Sequence, residues 1–380
     1  VRVAVIYDKH FAHSRAGGER WYLHLCRSFA RGDHVVHLTE RRAGDPREWM
    51  VDGVRIVGVA VGQAVGPTSR RATTSPLRFA FGVFRYLSTH RRQIDVVHVG
   101  AFQYFALFAA RIALAGSGTV VGMDWLEVWS TRRWRDYAGP VVGVVGYAVQ
   151  QLALRCSPTI FTFSDCHARR IPKGPARRIV RLDGIAPIAP AAAPSPPASP
   201  PFVIAVGRLV AHKHVDAIPA AVAVARATIP DLRLLIVGAG PEHDEVVRAA
   251  DRAGVAEVVE VIAAVDDDEL WAQLGSALCL VLASDREGYG LVVAEAAALG
   301  TPSIVLADDH NAASEQVVAG ESGAVVSGLG SDAIASAIVA VAAEPSMRAS
   351  TLARFRQGWP AIAASSAADH VRAAYGRRRG

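Results

Sequence analysis

A proline-rich segment divides this chain into two stretches with the same pattern. Pro187-Ile-Ala-Pro-Ala-Ala-Ala-Pro-Ser-Pro-Pro-Ala-Ser-Pro-Pro201 fixes φ repeatedly and removes backbone donors, so it predicts an extended, semi-rigid spacer rather than part of a core. Before it, Arg2–Tyr7, Val35–Thr39, Val54–Val61, Ile94–Val99, Val120–Met123 and Ile160–Phe163 read as strands. The first is followed by a loop to Gly18 and a helix over Glu19–Ala30. After it, strands are predicted at Phe202–Val206, Arg233–Val237, Val258–Ile262, Leu278–Leu282 and Ser303–Leu306. Helices fall at Val215–Thr228, Glu242–Ala253, Asp268–Leu274 and Leu291–Leu299. Short apolar strands alternating with helices predict an α/β class of parallel sheets covered on both faces. The boundaries are 1–185, a linker at 186–201 and a second domain over 202–354. Two such domains leave a cleft at the strand C-termini, where open α/β sheets bind ligands.

Composition supports order. The 380 residues are 51% apolar and 20% charged, which excludes a disordered or fibrous chain. Cys26, Cys156, Cys166 and Cys279 are too scattered for a disulfide framework or a zinc site. Val3–Tyr7 meets Asp8, Lys9 and His10 at once, unlike a secretory signal. Ala138–Leu154 carries no charge but is interrupted by Gly139, Pro140, Gly143 and Gly146, so a buried helix is expected there rather than a membrane span. These features fit a soluble, cytoplasmic protein.

Charge is uneven. Residues 1–185 hold 27 Lys+Arg against 13 Asp+Glu, whereas residues 186–380 hold 14 against 22. The basic half suits an anionic small molecule, a phospholipid surface or nucleic acid. Lysine is rare: Lys9, Lys173 and Lys213 are all there are.

The sharpest motif is Ser284-Asp-Arg-Glu287-Gly288-Tyr289-Gly290-Leu291-Val-Val-Ala-Glu295, continuing to Gly300-Thr301-Pro302. Its glycines admit close backbone approach, and the helix that follows presents N–H groups to an anion. One carboxylate at the helix mouth and another a turn deeper suit two hydroxyl-bearing groups flanking a phosphate. Spacing alone fits equally a helix with one exposed and one capping glutamate. Arg208 and Lys213 form a plausible diphosphate clamp, a forked guanidinium beside a point charge. Gly238-Ala-Gly240 with Glu260 downstream is also half of a dinucleotide fingerprint. His243, however, stands where that fingerprint needs a small residue.

Together these motifs resemble the retaining, GT-B-fold glycosyltransferases of glycosyltransferase family 4. Glu287–Glu295 matches their Glu-x7-Glu hallmark. Gly17-Gly18-Glu19 resembles their glycine-rich loop, and Gly207-Arg208-Leu209 with Lys213 their GRL…K motif. Val237-Gly238-Ala239-Gly240-Pro241 resembles their VGxGP turn, and Asn311–Glu315 the segment after their last core strands. The resemblance implies two Rossmann-like domains and transfer of a hexose-type sugar from a nucleoside-diphosphate donor, with retention and without metal or other cofactor. Donor binding would fall to Gly17, Gly18, Arg208, Lys213, Gly238, Gly288, Tyr289, Gly290, Leu291 and Glu295. Arg208 and Lys213 would hold the diphosphate with N–H groups at Gly290–Leu291, Glu295 the ribose hydroxyls, and Glu287 a sugar hydroxyl. The chain from about Phe355, with Trp359 and Ala361–Tyr375, would cross back onto the first domain.

Relatives have a histidine within a run like Asp124-Trp125-Leu126-Glu127-Val128-Trp129, where this chain has Leu126. Asp124 or Glu127 would then supply the catalytic polar contact, or the chain would bind donor without turnover. Trp125, Trp129 and His98 are acceptor-binding candidates, with core packing as the alternative reading for each. The acceptor class stays open among small molecules, glycans and lipids, and no nucleic-acid partner is expected. Pro76–Arg92 mixes apolar and basic residues, which fits a helix with one face in the core or contact with the inner membrane surface. Asp266–Asp268 and Asp308-Asp309-His310 suggest a metal only weakly, and no metal site is expected.

Overall fold

The structure is a computed structural model and describes residues 1–9, 17–62, 75–174, 178–182, 196–358 and 364–376. It forms two compact units, residues 1–185 with 363–380, and residues 186–362. Most of the proline-rich segment lies outside the described residues.

The first unit runs β1 (Arg2–Ile6), α1 (Gly17–Ala30), β2 (His34–Arg41), β3 (Glu48–Val51), β4 (Val54–Val61), α2 (Ser75–His90) and β5 (Val96–Val99). It continues with α3 (Tyr104–Ala113), β6 (Val120–Asp124), α4 (Thr131–Ala138), α5 (Pro140–Cys156), β7 (Thr159–Thr162), α6 (Asp165–Ala168) and β8 (Arg178–Arg181). Its sheet has the order β3-β4-β2-β1-β5-β6-β7-β8, parallel except for the β3–β4 hairpin. Ala4, Ile6, Val97, Val99, Val121 and Met123 bury one sheet face against α2, α3 and α5. Continuous apolar strands make sense here, because strands of a parallel sheet are covered on both sides.

The second unit runs β9 (Phe202–Val206), α7 (Ile218–Ala225), β10 (Arg233–Val237), α8 (His243–Arg252), β11 (Val259–Ile262), α9 (Asp267–Ser276) and β12 (Cys279–Leu282). Then come α10 (Leu291–Ala298), β13 (Ser303–Leu306), β14 (Gly323–Val326), α11 (Ser331–Ala343) and α12 (Met347–Gly358). The sheet order is β11-β10-β9-β12-β13-β14, with every described pairing parallel. Asp266 caps α9 by accepting from the Glu269 N–H at 2.8 Å, so its acidic run has a helix-capping role.

Two expectations need correction. The chain returns to the first unit later than about Phe355: α12 stays with the second unit, and α13 (Ala364–Gly376) belongs to the first. Trp359 lies outside the described residues. Arg372 fastens α13 by donating to Asp33 at 2.9 Å, with its guanidinium over the Phe29 ring. The uncharged stretch over α5 is not a buried helix. Gly143, Gln150, Ala153 and Leu154 face inward, but Val141, Val142, Val144, Val145 and Leu152 are exposed. No described helix is long and apolar enough to cross a membrane.

Candidate active site

In the second unit, strand order reverses between β9 and β12. Such a switch point opens a crevice beyond the strand C-termini, because the connections leave in opposite directions. A small cavity there is lined by Val206, Gly207, Arg208, Lys213, Leu282 and Ala283. The chain leaving β9 turns through Gly207 into the short 3-10 turn Ala211–Lys213. The chain leaving β12 carries Ser284 to Gly290 and enters α10.

These two loops are laced together. The Asp285 N–H donates to the His212 carbonyl at 3.1 Å, and Arg286 donates to Nδ1 of His212 at 3.2 Å. The Lys213 ammonium pairs with the Glu287 carboxylate, both side chains largely shielded from solvent. Burial, aided by Arg286 and Lys213, pushes the His212 imidazole down from 6.5 to about 3. It is therefore a neutral acceptor, which suits its bond from Arg286.

Glu287 is held from a third direction. Its N–H donates to the His310 carbonyl at 3.1 Å, and its carbonyl accepts from the Ala312 N–H at 2.9 Å. Asn311 makes that arrangement rigid. Fully buried, it donates to the carbonyls of Ser284 (2.9 Å) and Leu306 (2.7 Å) and accepts from the Ala313 N–H (3.1 Å). Gly290 enters α10 at φ 84°, a left-handed conformation that disfavours other residues. A Cβ there would lie 2.5 Å from that of Ala313. Glu295, one turn inside α10, is 4% exposed.

Gly238 packs against the loop that leaves β9. A Cβ on it would sit 1.8 Å from the Gly207 carbonyl oxygen, and one on Gly240 would sit 2.1 Å from that of Leu209. The glycines of this turn let two loops pack backbone to backbone.

In the first unit, the switch point lies between β1 and β5. Gly17 and Gly18 open α1 beside Tyr7, whose hydroxyl would be 2.9 Å from a Gly18 Cβ. Beneath them is a sealed polar network. Asp124 accepts from the Trp21 indole at 2.7 Å, and its other carboxylate oxygen lies 3.1 Å from Nε2 of His98. Nδ1 of His98 shares a 2.8 Å hydrogen bond with the Tyr375 hydroxyl of α13.

Three first-unit candidates lie in the interior. Asp124 and His98 are completely buried and Trp125 is 1% exposed. Trp125 stacks on Tyr104 and donates to Ser157, which makes it a core ring. Trp129 is also buried and donates from its indole to Glu127. Glu127 and Leu126 are the half-buried members of the run.

Comparison with known proteins gives the family. Residues 16–183 match the "Glycosyl transferase 4-like domain" model, and residues 191–357 match "Glycosyl transferases group 1". A GDP-mannose-dependent alpha-(1-6)-phosphatidylinositol monomannoside mannosyltransferase of Mycobacterium tuberculosis is 30% identical over 67% of this chain and 68% of its own length. The chain is a group 1 glycosyltransferase. The same-named protein of Mycolicibacterium smegmatis is 36% identical, but that match spans only 38% of this chain and 39% of the relative. A sucrose-phosphate synthase from Thermosynechococcus elongatus has the same fold, with a TM-score of 0.77 at 19% identity over 99% of this chain and 98% of that one. The fold is therefore GT-B.

Within this glycosyltransferase, Arg208 and Lys213 line the cavity of the second unit, Lys213 pairs with Glu287, and Gly288, Tyr289, Gly290, Leu291 and Glu295 follow on the loop and helix that continue from Glu287. His212 and Asn311 are additions that motif reading did not single out as site residues. The signal for Asn311 was its place directly after Asp308-Asp309-His310, where the His310 N–H donates to Asp308 at 2.7 Å. Those residues form a turn that presents the Asn311 amide to two strand ends.

Proposed function

We propose that the protein transfers a hexose-type sugar from a nucleoside diphosphate to a hydroxyl acceptor with retention of anomeric configuration. The observation that carries this reading is the Lys213–Glu287 pair at the β9–β12 crevice. Without donor, the ammonium is neutralised by the carboxylate. A diphosphate brings greater negative charge, so it draws Lys213 and Arg208 towards itself and frees Glu287 to accept from a sugar hydroxyl. Glu295 takes the ribose hydroxyls, and backbone N–H groups at Gly290–Leu291 face the phosphates.

The bond between the anomeric carbon and the phosphate oxygen breaks as the acceptor oxygen bonds to the same face. The departing phosphate accepts the acceptor's proton. No protein nucleophile or metal is needed in this scheme, because the two cations offset the charge that develops on the leaving group. The acceptor is a hydroxyl on a small molecule, glycan or lipid. The relative named for phosphatidylinositol monomannoside supports the lipid end of that range.

A second reading, donor binding without turnover, rests on Leu126 and on the complete burial of Asp124. Calorimetry with UDP-, GDP-, ADP- and dTDP-linked sugars, followed by transfer assays on an acceptor panel, separates the two. Transfer with retained stereochemistry is expected. Tight donor binding with no turnover favours the second reading, and no heat with any donor removes both.

A further inference from the structure

Three helices cover one face of the first unit's sheet in the order α2, α3, α5, with α3 packed against both neighbours. Their inner faces form the core, and their outer faces are unusual. On α5, Val141, Val145, Ala148 and Leu152 recur at helical spacing and all face outward. Val141 is 74% exposed and Leu152 50%. Ile112 on α3 is 68% exposed, and on α2 Phe81 is 62% and Leu77 53% exposed. Soluble surfaces seldom gather this many large apolar side chains on one face.

The charges on the same helices have one sign. Arg78 and Arg85 on α2, Arg111 on α3 and Arg155 on α5 are exposed. None of the three helices contains an aspartate or glutamate. Self-pairing of this face would set arginine against arginine with no carboxylate on these three helices to neutralise it. Nucleic acid would use the arginines but leave the valines, Ile112 and Phe81 without a partner. Apolar side chains interspersed with arginines match the acyl and phosphate layers of an anionic bilayer.

We infer that the outer surface of the α2–α3–α5 layer docks the protein on an anionic lipid bilayer. This deepens the proposed function and rests on it for the acceptor, since a docked enzyme meets a lipid-borne hydroxyl at the membrane surface. The apolar residues enter the headgroup boundary while the arginines stay at phosphate level. Docking is peripheral, because no described helix can span.

The test is co-sedimentation of the full chain with vesicles of phosphatidylcholine alone or mixed with phosphatidylglycerol, at low and high salt. Binding is expected to the mixed vesicles only and to weaken with salt. Arg111→Gln with Arg155→Gln should lower partitioning about 25-fold, at about fivefold per arginine. Val145→Asp and Leu152→Asp should each lower it strongly, with an unchanged thermal melt because both sites are solvent-exposed. No binding to the mixed vesicles, or binding that all these variants retain, overturns the inference. So does a salt-resistant dimer in sedimentation equilibrium that Val145→Asp dissolves. Donor calorimetry on the same preparation keeps the readings apart: donor heat without vesicle binding sinks the docking face alone, and vesicle binding without donor heat sinks the transferase scheme.

Discussion

The Lys213–Glu287 pair makes opposite predictions for its two members. Both side chains are partly shielded, 17% and 14% exposed. At that depth a charge-assisted hydrogen bond contributes roughly 1.5–3 kcal/mol. Lys213→Ala removes a cation that the diphosphate would bind and leaves the Glu287 carboxylate facing it. Affinity for a bare nucleoside diphosphate should fall roughly 10- to 150-fold, since about 1.4 kcal/mol is a factor of ten. Glu287→Gln leaves the ammonium in place and removes its competitor. The same ligand should then bind as well or better, by up to about fivefold if release from the pair contributes ~1 kcal/mol. The intact sugar nucleotide should lose this gain, because the amide is a poorer acceptor for a sugar hydroxyl than the carboxylate. Titration calorimetry with the diphosphate and with the sugar nucleotide reads all four values. Equal weakening of the bare diphosphate by both substitutions would refute the reasoning, because the pair would then be scaffold and not a competitor for the anion.

Three further outcomes follow from the geometry. Tyr375→Phe deletes the hydroxyl bonded to buried His98 and should cost roughly 1–3 kcal/mol in denaturant unfolding, with faster proteolysis of α13; an unchanged midpoint would count against the network. Gly238→Ala sets a Cβ against the Gly207 carbonyl and should destabilise the second unit by roughly 3 kcal/mol or more, measured by chemical denaturation. His212 stays neutral in the folded chain down to about pH 3, whereas the unfolded chain takes up the proton near 6.5. Unfolding is thus favoured as pH falls through that window, by at most about 1.4 kcal/mol per pH unit, and His212→Gln should flatten that part of the stability profile.

The strands predicted best are central ones. Phe202–Val206, Arg233–Val237 and Ser303–Leu306 match β9, β10 and β13 to the residue, because burial on both faces demands an uninterrupted apolar run. The strands missed were β3, β8 and β14, all three at sheet edges. Arg178-Ile-Val-Arg181 alternates half-buried with exposed residues, and so short a polar-flanked run has no distinct period. The Glu287–Glu295 motif was legible because its carboxylates, glycines and helix are local in sequence. The Asn311 staple was not, since its partners Ser284 and Leu306 lie in other segments.

What the chain's order of residues determined was the alternation of strands and helices, the division at the prolines and the composition of the second-unit loops. Each follows from neighbours a few positions apart. Tertiary structure decided which groups are reachable. Asp124 and His98 read as site candidates from their own segments, and only the fold joins them to Trp21 and Tyr375, one from near each end of the chain, in a buried network. Gly122 makes room for that tyrosine, whose hydroxyl would lie 2.5 Å from a Cβ at 122. The uncharged α5 has the composition of a core helix, but only one of its sides has a sheet to cover. Accessibility depends on what packs above a residue, and that is set by distant segments rather than by its neighbours in sequence.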